Sequence, residues 1–289
     1  MQRRNFIKQS LAAGGSAAIF SSMTCLGANK NQKQTDSNEI LKTIKNLRTI
    51  HGNFTDKMVP DEQIEQILQA SLQAANASNM QTYSIIVVKD RAKMKNICGY
   101  QGGALLLYCV DVNRIQDGAK HLGYVCINDN IVNFVTAGMN AMLAAQTAVI
   151  AAKSLEIDSL LTNGIHRGDM ERLWKILDLP KKGCFPMIAL VLGYPAQLPA
   201  HDKGRYGGPG IIHHEKYHRM SKEEINKMME VYDDPETHVA LNENWSQGDH
   251  KHYFDWLFKN WLRGSDKPTT EETQMFKLLK RSGFVDLQG

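Results

Sequence analysis

The chain has 289 residues, 43% hydrophobic and 22% charged, ordinary proportions for a globular protein with room for one large domain or two small ones. Residues 1–25 carry Arg3, Arg4 and Lys8 and no acid, so the formal charge of +4 shrinks to 31 basic against 30 acidic residues beyond them. That balance gives no electrostatic case for nucleic acid, and the cysteines at 25, 98, 109, 126 and 184 form no CxxC pair and no Cys/His cluster with zinc spacing, so neither a disulfide framework nor a metal site is expected.

Residues 1–25 read as a targeting segment. Arg3-Arg4-Asn5-Phe6-Ile7-Lys8 resembles a twin-arginine export signal, and a weakly apolar, Gly/Ala-rich run follows from Leu11 to Phe20. The expectation is an exported protein, periplasmic or tethered to the outer side of the inner membrane. Cys25 offers a lipid anchor after signal cleavage, although Ser22-Met23-Thr24 departs from the usual small-residue box. Residues 26–38, with the polar run Asn29 to Asn38, form a linker.

Glu39 to Leu47 begins a helix with Ile40, Leu41 and Ile44 on one face, and Arg48 to Phe54 follows as a polar turn. Pro60-Asp61-Glu62 opens a second helix, because proline suits the first turn and the acids suit the helix dipole. Ile64, Ile67, Leu68 and Leu72 give that helix a core face. Ala74 to Ser84 is an amide-rich loop leading to Ile85-Ile86-Val87-Val88, a buried strand, and Ala104 to Val110 is a second. Asn133 to Leu155 is rich in Ala and Met, without proline, and apolar all round, which predicts a long central helix enclosed by other elements. Phe134 to Ala152 is long enough to span a bilayer. Thr136, Asn140, Gln146 and Thr147 interrupt it, and Ala stands where a span uses Leu or Ile, so a buried helix of a soluble domain is the expectation.

Asp158 to Gly168 reads as a loop, Asp169 as the cap of a short helix with Leu173, Trp174 and Leu177, and Pro186 to Tyr194 as the third strand. Pro195 to Gly210 is irregular and glycine-rich. Ser221 with Glu224, and Thr269 with Glu272, each fit a capping box. Tyr253, Trp256, Leu257 and Trp261 recur at helical spacing, a pattern of packing. The order of elements gives an α+β fold: a mixed, mainly antiparallel sheet flanked by helices.

Taken one at a time, the polar loop residues are ordinary: Asn76, Asn79 and Gln81 suit a turn, His51 suits a surface, and Lys203 with Arg205 suits a solvated pair. Their number around buried elements is what points to a ligand with a phosphate for the cations and a heterocycle edge for the amides.

Four segments in order carry a resemblance to the nitroreductase family of FMN-dependent oxidoreductases, over about residues 40–217. They are Arg48-Thr49-Ile50-His51-Gly52-Asn53-Phe54-Thr55 with Val59-Pro60-Asp61; Ala75 to Tyr83; the long helix with Ala144-Ala145-Gln146, then Leu161-Thr162-Asn163-Gly164; and Ala189 to Pro195, closing with Lys203 and Arg205. The chain departs from the family pattern at Leu47 and His51, where the family has Arg, at the extra residue near Gly52, at Asn76 for Ser, and at Thr82-Tyr83 for Pro-Trp.

The resemblance implies a nitroreductase-like domain at 39–217, a helical C-terminal extension at 218–289, and a homodimer with the long helix in its interface. It implies FMN as cofactor, with Arg48, Lys203 and Arg205 on the phosphate and Thr49 and His51 on the phosphate or ribityl chain. Asn76, Asn79 and Gln81 would line the flavin from the other subunit, and Asn163 and Gly164 would lie near the ring and its N5. No side chain is implied as a catalytic nucleophile, because hydride passes through N5 in alternating half-reactions. NAD(P)H or a redox protein would be the donor, and an electron-poor small molecule of nitroaromatic or quinone type the acceptor. Reductive dehalogenation and non-catalytic flavin carriage are the alternative readings.

Overall fold

Two central strands carry the fold, and both are apolar at nearly every position because both of their faces are covered. In β2 (Ala104–Asp111) and β4 (Cys184–Gly193), successive side chains point to opposite faces. Leu105, Leu107 and Cys109 join one core with Ala189 and Val191, while Ala104, Leu106 and Tyr108 join the other with Leu190 and Leu192. The computed structural model describes residues 38–126, 130–262, 264 and 267–285, so the expected export signal at 1–25, with Cys25, and the expected linker up to residue 37 lie outside the described residues. The chain divides after Asn38, and Glu39–Gly289 is a single compact unit.

β1 (Tyr83–Val88) and β3 (Asp158–Thr162) flank the central pair in the order β1-β2-β4-β3. Every pair of named strands is antiparallel, with Leu106 opposite Leu190 and Ser159 opposite Leu192. Among the described residues the sheet is mixed only through an isolated parallel bridge, Thr49 to Ser159. β3 corrects the reading of 158–168 as loop. Its polar ends and brief apolar centre carry little strand signal, and it exists because β4 offers it an edge and the central helix covers Leu160's neighbours.

The central helix α5 spans Ile131–Ser154, starting two residues earlier than its composition suggested. Asn130 caps it, its side chain accepting from the Asn133 amide at 3.0 Å. Ala141, Ala144, Ala145, Ala148 and Ala152 are all buried against the sheet, where their small size lets the backbones approach closely. By length and composition α5 would also pass as a membrane span. Here its alanine face is the floor of a protein core shared with α2 (Asp61–Leu72). Ser71 of α2 locks this layer by donating to the Ala144 carbonyl at 2.9 Å, with the Tyr108 hydroxyl 3.1 Å away. Burial pushes that phenol up to about 12, so it stays a neutral hydrogen-bonding group.

The other face of the sheet is covered by α3 (Arg91–Cys98), α6 (Glu171–Leu177) and α9 (Thr270–Arg281) through Met94, Ile97, Leu173, Trp174 and Leu278. Phe284, beyond α9, is wholly buried and sits 5.1 Å from the Phe134 ring, so residues past 217 supply part of this core. Asp169 does not cap α6; Met170 occupies that position, and the Asp169 side chain accepts from the Glu171 amide at 3.0 Å. α3 and α4 (Asn113–His121) are short and polar, with little periodicity to announce them. Both capping boxes are present, at Ser221 before α7 (Lys222–Asp233) and at Thr269 before α9. The aromatic stripe begins as α8 (Tyr253–Trp256) and continues as a π turn over Leu257–Trp261. Tyr253 is buried and packs as expected, whereas Trp261 is exposed.

Candidate functional site

Three separated stretches of chain wall a cleft of about 460 Å³, within the size range of small-molecule sites. The first wall is Leu47 to His51, after α1 (Glu39–Lys45). Thr49 bridges to Ser159, the Ile50 amide donates to the Ser159 carbonyl at 3.0 Å, and the buried Ile50 side chain pins the segment beside β3. The second wall is the irregular chain after β4, with His201, Lys203, Gly204 and Arg205. The third is Val239 to Leu241.

Gly204 joins the last two walls. Its amide donates to the His238 carbonyl at 3.1 Å, and a Cβ placed on it would lie 2.0 Å from the Thr237 carbonyl oxygen. Only glycine allows so close a backbone approach. Beside it the Lys203 ammonium donates to the Ala240 carbonyl at 2.9 Å and pairs with Glu243. That ammonium, with His201 adding to it, holds the Glu243 carboxyl below the usual carboxylate range.

The cleft is cationic. Arg48 has its Nε 3.5 Å from Asp158 Oδ1, and Lys153 reaches the same oxygen at 2.7 Å, so one carboxylate faces two cations. The Arg48 Nε is buried and makes no hydrogen bond. Arg205 turns one nitrogen onto the carbonyls of Lys203 and Gly204, at 3.1 and 2.9 Å. An adjoining hollow of about 540 Å³ shares Arg48, Thr49, Lys203 and Arg205 and adds Gln146 of α5 and Leu161 of β3. This donor set fits a phosphate at one end and a hydroxylated chain beyond it. Leu47 lines both hollows, so the residue that departs from the family's Arg is an apolar wall.

Of the residues singled out in the sequence, Arg48, Thr49, His51, Lys203 and Arg205 come together here. Gly164 lines a separate hollow with Tyr100, Cys98 and Arg167, and Asn163 precedes it at the start of the 3-10 turn Gly164–His166. Asn76, Asn79 and Gln81 line neither hollow. Their loop is a built element: Ser78, Asn79 and Gln81 all hold positive φ, and Asn76 Oδ1 accepts from the Gln81 amide at 3.0 Å. The buried Asn140 of α5 clamps it from below, accepting from the Ala77 amide and donating to Thr82 Oγ1, both at 3.0 Å. The third wall, Val239 to Leu241, was not foreseen, and nothing in its composition announces it.

Burial raises the Cys98 thiol, a hydrogen bond with Cys184 and then burial raise the Cys109 thiol, and burial lowers the His166 imidazole, whose Nε2 lies 3.0 Å from the Pro186 carbonyl. A protonated thiol and a neutral structural imidazole are inert at neutral pH, so these groups serve packing.

The fold has counterparts among known proteins. The nitroreductase family model matches residues 44–125. The chain is 29% identical over 233 residues to the FMN reductase [NAD(P)H] of Bacillus subtilis, covering 75% of this chain and 91% of that one. It is 27% identical over 221 residues to a Cr(VI) reductase of Pseudomonas sp., covering 72% and 88%. Among solved structures, NfrA2 of B. megaterium aligns with a TM-score of 0.70 at 27% identity, over 86% of this chain and 98% of that one. The NfrA1 nitroreductase of B. subtilis aligns at 0.70 and 25%, over 85% and 98%.

Proposed function

We infer that the chain is an FMN-dependent oxidoreductase of the nitroreductase type, and we propose that it passes electrons from NAD(P)H to an electron-poor small molecule of nitroaromatic or quinone type. The observation that carries the reading is the meeting of Arg48, Thr49, His51, Lys203 and Arg205 at one cleft of a nitroreductase-like fold.

When bound, FMN supplies hydride acceptance and donation at its N5. The chain's own part is to hold and orient it. Arg48, Lys203 and Arg205 would neutralise the phosphate, and all three line both adjoining hollows, which supports that assignment. Lys203 would exchange Glu243 for phosphate oxygen while keeping the Ala240 carbonyl. Thr49 and His51 would hydrogen-bond the phosphate or ribityl chain. Purified protein should be yellow, release FMN on denaturation, and bleach anaerobically with NADH or NADPH. Arg205→Ala should weaken FMN binding by ~1.5–3 kcal/mol, about 10–150-fold in Kd, read by flavin fluorescence titration. Unchanged affinity would remove Arg205 from the site.

A homodimer would complete the site, with the loop of Asn76, Asn79 and Gln81 from a second copy and Asn163 and Gly164 near the ring. Supporting this, α5 leaves a stripe of Ile131, Val135, Met139 and Leu143 exposed at four-residue spacing, with Val132 beside it, an apolar patch of the kind that marks an interface. Light scattering should return a dimer mass, and Val135→Glu should shift it toward the monomer; a wild-type monomer at micromolar concentration would refute the arrangement.

Export rests on the Arg3-Arg4 start. Replacing both by lysine should retain the protein in the cytoplasm on fractionation. Unaltered localisation would end that proposal, and the lipid anchor at Cys25 with it.

A further inference from the structure

We propose that His201, His238 and Glu243 bind a divalent metal ion of the Zn²⁺, Ni²⁺ or Cu²⁺ class at the rim of the cleft. The candidate ligand atoms of the three residues lie within 4.8 Å of one another. His201 Nε2 is 2.8 Å from Glu243 Oε1, and His238 Nδ1 is 3.8 Å from the same oxygen. His238 Nδ1 is buried and makes no hydrogen bond, leaving a nitrogen that a metal would satisfy.

The backbone sets this convergence. His238 adopts φ +50, a left-handed conformation uncommon outside glycine, and its carbonyl accepts from Gly204. The two imidazole rings are thereby stacked, with centroids 3.6 Å apart and planes 9° from parallel. Two imidazole nitrogens and one carboxylate oxygen suit borderline transition ions, whereas Mg²⁺ and Ca²⁺ prefer oxygen shells. Coordination at about 2.0–2.1 Å would turn the rings out of their stack so that both lone pairs aim at one point, and three protein ligands leave a position for water. Lys203 shares the Glu243 oxygen and therefore competes with the metal. Metal capture would move the carboxylate from Lys203 to the ion and leave the ammonium with the Ala240 carbonyl at the cleft.

The test uses the untagged full chain after chelator treatment, titrated calorimetrically with ZnCl₂ and separately with MgCl₂. A single Zn²⁺ per chain and no Mg²⁺ response are expected. His238→Ala and Glu243→Gln should each weaken Zn²⁺ by more than about 100-fold, beyond the 10–100-fold typical of a lost outer partner, and Lys203→Met should tighten it. Nitrogen couplings in the Cu²⁺ electron paramagnetic resonance spectrum should fall from two to one in His238→Ala, with the metal-free melting curve reporting that the variant folds. Absence of stoichiometric Zn²⁺ binding overturns the proposal. So does full affinity in both variants, which would move the ion elsewhere, such as His213 and His218, whose Nδ1 atoms lie 3.3 Å apart.

Discussion

Gly204→Ala should lower the melting temperature and weaken FMN binding together. The added Cβ would stand 2.0 Å from the Thr237 carbonyl oxygen and 3.1 Å from a Val239 methyl. The first neighbour is backbone, so relief requires the chain at 203–205 to withdraw from that at 237–240. Overpacking of this kind costs about 1–3 kcal/mol, which for a domain of this size is a drop of roughly 2–12 °C. The same withdrawal breaks the Gly204–His238 bond and draws Lys203 off Ala240, misplacing two of the three proposed phosphate cations. Loss of one charge-assisted bond alone is ~1.5–3 kcal/mol, so FMN affinity should fall by at least about tenfold. Gly207→Ala is the control, because a Cβ there meets nothing within 4 Å. Equal melting temperature and flavin affinity in the two variants would mean that the two walls are not tied through Gly204.

The other large effect is expected at Asn140. Its side chain is buried in α5 and divides its two functions, the carbonyl oxygen to the Ala77 amide and the amide nitrogen to the Thr82 hydroxyl. Asn140→Leu keeps similar volume but strands both partners, Thr82 being buried as well. An unsatisfied buried group costs about 1–3 kcal/mol, so the pair should lose about 2–4 kcal/mol of stability, read as a lower urea midpoint at unchanged slope. The loop of positive-φ residues would lose its clamp at the same time, and FMN affinity in the assembled protein should drop if that loop lines the flavin. Exposed Ser154→Ala, at the far end of the same helix, should change stability by no more than ~0.5 kcal/mol. A neutral Asn140→Leu would show that the loop holds its shape without α5.

How much of this was legible beforehand depends on how far each signal reaches along the chain. β2 and β4 were evident because continuous apolar runs already say that both faces of a strand are covered. α5 was evident from alanine density, and the capping boxes at Ser221 and Thr269 were evident because cap and partner stand three residues apart. The cations at 48, 203 and 205 were recognisable only as members of an ordered pattern; their types alone are those of any solvated surface. Short elements with weak periodicity leave no such signal: β3 has only two apolar residues, Leu160 and Leu161, and α3 and α4 are short and polar.

The sequence by itself therefore determined the α+β class and the buried central strands and helix, while the family resemblance picked out five polar residues that meet at the cleft. Tertiary structure alone decided that Asp158 faces two cations, that Val239 to Leu241 close the cleft, and that Gly204 lies against Thr237. It also decided that two histidines and a glutamate converge where cysteine and histidine spacing had suggested no metal. The physical reason is that helix caps and strand alternation are fixed by neighbours within a few residues, whereas these contacts join residues remote in sequence and form only once the sheet has set the distance between them.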